Sequence, residues 1–527
     1  MDDKKRTFSL NQKGFAFLLF AAILAFFLLN GSEGAVLFDD SGSYMRLQWH
    51  EGVMPVYPIF LLLNQYICGN GSYLWAVVVE QALLAAFSIV ILEETVRRRM
   101  KLYFAEGILL SLLALYPYTI EMPTAVMTQA ILTEGIAYSL FYIFLAVLLK
   151  AVWNKSYGNL IGAFCMTVLM SAVRSQLQIL FGVCGIVFFY LLCMRGKREW
   201  IIRFLGGIAG CVAISLLGIA LTVGIIKIYK PAVLYFAEDS LSMFAMRVQD
   251  PEGYQETLAA LEKTKELERE GEEQAESGEK YLEKEREEDL TGKVFSTSQY
   301  LTLLFSRGMY EADREDAALF EDEVLRGLYL ALYDVVDAEQ ERYVYAQKSL
   351  WMWQDIMGGL GKIGGSCLMT PSEYYVEYAP EVIRSEDFST IRQSHLQTIG
   401  LTLIKAHFGR FLYHTLMLLP QAFISTVFFQ YAPLYLFCHL VTAFLYLSAF
   451  ALMIWGYAEQ RARKEGAEMM ALVLGTNVVM VFIISLVFFG QQRYLVYAFG
   501  PFYIAYYLLL RQLWCVRIRE FLRRRFR

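Results

Sequence analysis

Two adjacent carboxylates, Asp39 and Asp40, follow the first long apolar run of this 527-residue chain, in the string Phe38-Asp39-Asp40-Ser41-Gly42-Ser43-Tyr44. A carboxylate at a membrane surface can act as a base on an incoming hydroxyl or amine, or ligate a divalent cation. An Asp in this position can equally cap a following helix. If Asp40 opens such a helix, Tyr44 lies one turn later on the same face. Further on, Thr133 precedes Glu134 at the head of an apolar stretch, where an ionisable side chain is expected to face protein or a water-filled cavity. Arg174 falls in a short turn between two apolar stretches, and Arg493, followed by Tyr494, stands just before the last one. Each arginine suits phosphate binding through charge-assisted hydrogen bonds, or simple anchoring at the headgroups by snorkelling.

The elements that must position these residues are apolar helices. Hydrophobic residues make up 57% of the chain and charged residues only 19%, against about 25% charged in soluble domains. This composition excludes a soluble enzyme, a secreted disulfide scaffold and a nucleic-acid binder with a broad basic face. A bilayer crossing takes about 20 mostly apolar residues, because each backbone group must find its partner within the helix. Ten stretches qualify: Phe15–Leu29, Tyr73–Leu92, Leu102–Ile120, Ile131–Leu149, Asn159–Val173, Leu177–Leu192, Ile202–Ile228, Leu434–Trp455, Met469–Phe489 and Tyr494–Leu510. The expected fold is an all-α polytopic membrane protein of about ten transmembrane helices, eleven if residues 401–431 also cross. The first stretch is expected to stay as an anchor, since no clear small-residue cleavage site follows it.

Basic residues set the orientation. Arg97, Arg98, Arg99 and Lys101, then Lys150 and Lys155, then Arg195, Lys197, Arg198 and Arg203, then Arg461, Arg463 and Lys464, and finally the arginine-rich tail alternate as inside loops when the amino terminus is inside. Both termini are then cytoplasmic, and the first loop (30–72), Glu134, Arg174 and Arg493 share the outer surface, an arrangement suited to transfer from a phosphorylated lipid. Residues 401–431, interrupted by Lys405, His407, Arg410, His414 and Pro420, are expected to form an interfacial or re-entrant helix. There Lys405 and Arg410 are candidates for lipid-phosphate binding or for holding the helix at the headgroups.

The chain is accordingly divided into an amino-terminal membrane module (1–230), an extracytoplasmic domain (231–400), the interfacial helix (401–431) and a carboxy-terminal membrane module (432–527). The net charge of -5 conceals an asymmetry, because residues 250–289 alone carry -10 and leave the rest at +5. That acidic run has little capacity to bury a core. After it, Tyr300, Leu303, Leu304, Leu325, Leu328, Tyr329 and Leu332 recur at helical spacing. Cys68 and Cys367 are the cysteines expected outside the membrane, and His407 and His414 share a helical face as candidate metal ligands or as ordinary interfacial residues.

Asp40-Ser41-Gly42-Ser43-Tyr44, then Gly52, then Pro55-Val56-Tyr57-Pro58 leading into an apolar helix, form an ordered series. It continues with Thr133-Glu134, Arg174, Arg493-Tyr494 and Pro501. In this series the chain resembles the integral-membrane glycosyltransferases of the C-type fold, the group that includes protein O-mannosyltransferases and lipid A aminoarabinose transferases. The resemblance spans about residues 10–230 and, more weakly, the last apolar stretch. It implies an inverting transferase of the bacterial plasma membrane and cell envelope, moving a sugar from a polyprenyl-phosphate donor to an extracytoplasmic glycan, lipid or protein acceptor. Asp40, or its neighbour Asp39, would be the catalytic carboxylate, and Arg174 and Arg493 would stabilise the departing lipid phosphate. Tyr44, Tyr57, Glu134 and Tyr494 would line the substrate site. No cofactor is obligatory on this reading, although some relatives hold a divalent cation on acidic loops. The large outer insert departs from the pattern, with no acceptor-binding module or metal motif apparent in it.

Two other classes use similar parts. A transporter or flippase is expected to show paired halves and charges at midplane, whereas the charges here cluster at helix ends and the halves are unlike. A polysaccharide polymerase or ligase is expected to carry a large late loop rich in Arg and His rather than an acidic first loop.

Overall fold

In the computed structural model the described residues are 3–38, 41–45, 54–69, 71–120, 126–193, 200–234, 299–338, 388–428, 435–458, 464–487 and 495–525, with Gln255 and Tyr374 singly. Among them the regular structure is helical, apart from one isolated parallel bridge between Val36 and Ala130. Asp39, Asp40, Arg493 and Tyr494 lie outside the described residues, as do Gly52, Cys367 and most of the acidic insert.

Seven helices among the described residues are long and apolar enough to cross a membrane: Gln12–Glu33, Tyr73–Met100, Thr133–Asn154, Ser175–Cys193, Ile201–Ile226, Leu436–Ala458 and Glu465–Leu486. They coincide with seven of the ten expected spans. The other three differ in form. The stretch expected as one span over Leu102–Ile120 is broken at Tyr116 into α5 (Phe104–Leu115) and α6 (Pro117–Ile120), where Pro117 has no N–H to continue the ladder. The helix Tyr157–Val173 is short, and the last, Phe499–Arg525, runs from an apolar start into its arginine-rich end. Arg97, Arg98 and Arg99, expected in a loop, lie instead in the last turn of Tyr73–Met100.

The chain forms two compact units. The first comprises Met1–Glu262, Thr426–Val479 and Gln492–Arg527. Its centre is α4 (Tyr73–Met100) packed along α7 (Thr133–Asn154), with α1 (Asp3–Asn30), α3 (Val56–Cys68) and α5 against α4, and α8 (Tyr157–Val173) against α7. On α4, Ala82, Ala85 and Ala86 are fully buried, and such small residues let helices approach closely where apolar burial alone gives no drive. α7 is buried on nearly every side, as expected of a helix apolar around its whole circumference. α9 (Ile179–Cys193) packs on α10 (Trp200–Leu234).

The second unit comprises Lys263–Ser425 and Met480–Gln491. Its described helices include α11 (Gln299–Glu311), α12 (Glu323–Ala338), α13 (Phe388–Ala406) and all but the last two residues of α14 (Phe408–Val427). The helical spacing seen in the sequence is the core here, since Leu328, Tyr329 and Leu332 are buried with Phe305, Met309, Ile399 and Leu403. The region expected as one interfacial helix over 401–431 is instead divided at His407, and its first part belongs to a helix that starts at Phe388.

The α11–α13 crossing depends on two glycines. A Cβ on Gly308 would lie 2.6 Å from the Gly400 carbonyl oxygen, and one on Gly400 would lie 2.6 Å from the Phe305 Cα. Gly308→Ala is therefore expected to overpack backbone against backbone and destabilise this unit by about 1–3 kcal/mol. Faster amide hydrogen exchange in α11 and α13 reports the effect, with Gly409→Ala, where nothing lies within 4 Å of the added carbon, as the unaffected control. Equal exchange in both variants would contradict the crossing.

Candidate functional site

The site is built around residues 126–132 at the head of α7, a stretch that holds one short 3-10 turn (Met127–Gln129) and no α-helix. Buried backbone groups without helical partners must be satisfied by other means. Here Val36 supplies two bonds: its N–H donates to the Gln129 carbonyl (2.8 Å), and its carbonyl accepts from the Ile131 N–H (3.0 Å). The Gln129 side chain closes the turn, donating to the Gly34 carbonyl (3.1 Å) and accepting from the Val126 N–H (3.0 Å). From α4, the buried Gln81 amide donates to the carbonyls of Thr128 (3.0 Å) and Ala130 (3.2 Å). Gly135 makes room for it, because a Cβ there would overlap the Gln81 amide.

The first loop is fastened to the same stretch. Ser41 is buried, its hydroxyl donates to the Ile131 carbonyl (2.8 Å) and accepts from the Phe38 N–H (2.9 Å), and its own N–H donates to the Phe38 carbonyl (2.9 Å). Phe38 and Ser41 are the immediate neighbours of the Asp39–Asp40 pair. The flanks of the acidic pair are thus tied to Ile131, three residues from Glu134.

Glu134 and Arg174 form an ion pair, with the carboxylate 2% and the guanidinium 13% exposed. Arg174 also donates to the Thr133 hydroxyl (3.1 Å), which donates to Glu134 (3.0 Å). Arg174 ends α8 with extended backbone, and that abrupt exit carries its side chain away from the helix and across to α7. An unpaired buried charge is far more costly than a paired one, so each member of the pair requires the other.

Tyr57 is fully buried and donates to the Gln81 side-chain oxygen (3.3 Å), while its ring meets Tyr44 edge-on with centroids 5.5 Å apart. Burial first, then the neighbouring Tyr44 and Glu134, hold its hydroxyl well above the ordinary tyrosine range, so it remains a donor. Tyr44, Tyr57, Glu134 and Arg174 therefore occupy one neighbourhood. Beneath Glu134, Tyr138 meets Tyr497 edge-on at 5.0 Å, and the Gln176 amide donates to the Tyr497 hydroxyl (3.1 Å). Tyr497 lies near the start of the last described segment of this unit, three residues beyond Tyr494.

Lys405 and Arg410, the candidates for lipid phosphate, belong to the second unit. Arg410 donates to Asp313 (2.9 Å) and to His407 Nδ1 (2.7 Å), so its guanidinium already serves an ion pair, while Lys405 is exposed in the last turn of α13. His407 also bonds Asp316 through Nε2 (2.7 Å), whereas His414 packs its ring against Tyr310 at 5.3 Å. The two histidines do not meet on one site. Asp313, Asp316 and His407 have the ligand types and proximity for a cation, but a guanidinium in the same cluster opposes one.

Gln81, Gln129 and Ser41 were not among the residues expected to matter. The one visible signal was Glu80-Gln81 within the otherwise apolar run that forms α4, since a buried amide in a span requires partners. The chain matches no protein-family model, no curated protein and no solved structure.

Arg174→Gln leaves the Glu134 carboxylate buried and uncompensated, with an expected loss of about 3–5 kcal/mol. The Glu134→Gln/Arg174→Gln double variant is expected to recover part of that loss. Thermal unfolding of the detergent-purified protein measures both, and a double variant no more stable than Arg174→Gln alone would show that the pair is not the source of the effect.

Proposed function

We propose that this chain is a membrane glycosyltransferase that moves a sugar from a polyprenyl-phosphate carrier to an extracytoplasmic acceptor with inversion at the anomeric carbon. The observation that carries the reading is the fastening of Phe38 and Ser41, on either side of Asp39–Asp40, to the backbone that leads into the Glu134–Arg174 pair. Residues far apart in sequence, the neighbours of a general-base candidate and a cationic group suited to phosphate, are drawn to one end of one helix. Such a combination serves displacement at a sugar carbon with a phosphate leaving group.

On this reading Asp40, or Asp39 beside it, takes the proton from the acceptor hydroxyl or amine as that oxygen or nitrogen attacks the anomeric carbon. The bond from that carbon to the lipid phosphate breaks, and the phosphate leaves with its electron pair. Arg174 faces the charge that develops there. Its guanidinium is oriented in advance by Glu134 and Thr133, which reduces the reorganisation needed at the moment of reaction. Arg493 is the second phosphate ligand in this proposal, supported by the packing of Tyr497, four residues later, against Gln176 and Tyr138. Tyr44 and Tyr494 contribute the walls of the sugar site, with the buried Tyr57 packed behind Tyr44. No step requires a metal.

The proposal includes ten crossings with both termini cytoplasmic and the site outside, in a bacterial plasma membrane. Cysteine-accessibility labelling checks this: a single cysteine placed in the 250–289 run of a functional variant reacts with an impermeant reagent added outside intact cells. Labelling only after lysis would remove the site from the side where the lipid-linked sugar is presented.

Asp39→Asn and Asp40→Asn, assayed separately for sugar transfer from a polyprenyl-phosphate donor in purified membranes, test the chemistry. One of the two is expected to lose about 10²–10⁴-fold in rate, with unchanged protein level. Full activity in both would end the catalytic assignment.

A further inference from the structure

At the opposite end of α4 and α7 from Glu134 the structure holds a pocket of about 320 Å³, lined by Glu94, Thr95, Arg98, Arg99, Lys150, Trp153 and Asn154. Along α7, Glu134 and Asn154 are separated by about 30 Å at ~1.5 Å per residue. That is about one hydrocarbon thickness, so the pocket lies at headgroup level when these helices cross a bilayer.

Its lining is dominated by donors. Arg98 pairs with Glu94, and Arg99 reaches Glu465 (3.1 Å) and the Trp153 carbonyl (3.4 Å). An arginine has five N–H donors, and these contacts use only a few of them. Lys150 is exposed and makes no hydrogen bond or ion pair among the described residues. Trp153 is 7% exposed, and its indole Nε1 is buried with no hydrogen-bond partner. An indole N–H only donates, and leaving it unmet in the interior is costly. Three cations stand against two carboxylates, Glu94 in the lining and Glu465 beside Arg99, and Lys150 is left as the excess positive charge.

Two helix carboxyl ends meet here, and exposed terminal carbonyls would repel an anion. They are capped. The Lys101 N–H donates to the Arg97 carbonyl, and the Lys155 N–H donates to Ala151 and Val152, each lysine adopting the left-handed conformation that closes the helix. With those carbonyls occupied, the excess positive charge and the unmet indole N–H select a ligand that is anionic and rich in acceptors.

We propose that this pocket binds a phosphate group, carried either by an anionic lipid headgroup or by a free phosphate. It is separate from the proposed transferase site and does not depend on that reading.

Delipidated full-length protein in neutral detergent is titrated with phosphatidylglycerol, phosphatidylcholine and inorganic phosphate, and bound ligand is counted by native mass spectrometry. Wild type is expected to prefer phosphatidylglycerol over phosphatidylcholine. Lys150→Gln and Arg98→Gln, both at exposed positions, are expected to weaken that binding by about tenfold or more, with Lys150→Arg restoring it. Trp153→Phe, which removes only the indole donor and some volume, is expected to weaken it in the same direction. Displacement of the lipid by millimolar inorganic phosphate identifies a free phosphate as the ligand, and retention of lipid identifies a headgroup. Affinities for phosphatidylglycerol and phosphate that are unchanged in Lys150→Gln and Arg98→Gln, or that fall equally in the control Lys155→Gln outside the lining, would overturn the proposal.

Discussion

The arrangement at the head of α7 depends on one constraint: a buried stretch of backbone that is not α-helical must have its polar groups met largely by other parts of the chain. Buried within the protein, this stretch is out of reach of bulk water. Gln81 meets the carbonyls of Thr128 and Ala130, Val36 meets Gln129 and Ile131, and Ser41 meets the remaining carbonyl of Ile131. These bonds tie α4 and the first loop to the same seven residues, so the loop cannot shift without exposing unsatisfied groups. The cost of burying an amide at Gln81 in an apolar helix is offset by the two carbonyls it satisfies.

The same logic governs the buried charges of the first unit. Arg97 is 3% exposed and lies 2.5 Å from Glu93, which is 1% exposed. Its guanidinium is covered by Phe15 and Phe104, with ring centroids 5.1 and 5.3 Å away. This contact joins α1, α4 and α5 where α4 ends. Such a pair contributes less to net stability than its Coulomb energy implies, but removal of either partner is expensive. Pairs of this kind, at Glu93–Arg97 and at Glu134–Arg174, make the two ends of the α4–α7 core intolerant of a slipped register.

Much of the fold was legible because long apolar runs leave the chain few choices in a bilayer. Leu328, Tyr329 and Leu332 were likewise legible as one face of a helix, since the spacing that reveals them is local. What stayed hidden was anything set by a distant partner. Arg97 reads as a loop marker until Glu93 and two aromatic rings surround it. Arg410 reads as a cation available to lipid, yet its partner Asp313 lies 97 residues earlier in the chain. Ser41 looks like spacer between Asp40 and Tyr44, and its acceptor Ile131 is 90 residues away. The break at Tyr116 was open to reading, since Pro117 follows it directly. Asp39 and Asp40 stood out for their chemistry, whereas the bonds that fasten their neighbours belong to tertiary structure that no local pattern encodes.

The floor under Glu134 and Arg174 bears on how strongly these charges act. Tyr138 and Tyr497 are each 1% exposed and Phe141 is equally buried, so the side of the pair toward the helix bundle is aromatic and dry. A charge against such a surface is poorly screened, and its interactions are stronger than they would be in water. Glu134 is paired with Arg174 and accepts from the Thr133 hydroxyl, and these two contacts hold the carboxylate in place against that surface. Because the carboxylate is fixed, the guanidinium has a fixed direction as well. Under the proposed reaction, the departing phosphate would meet a cation that has already lost its hydration and its freedom to turn, so the favourable interaction grows as charge develops rather than being spent on ordering the arginine.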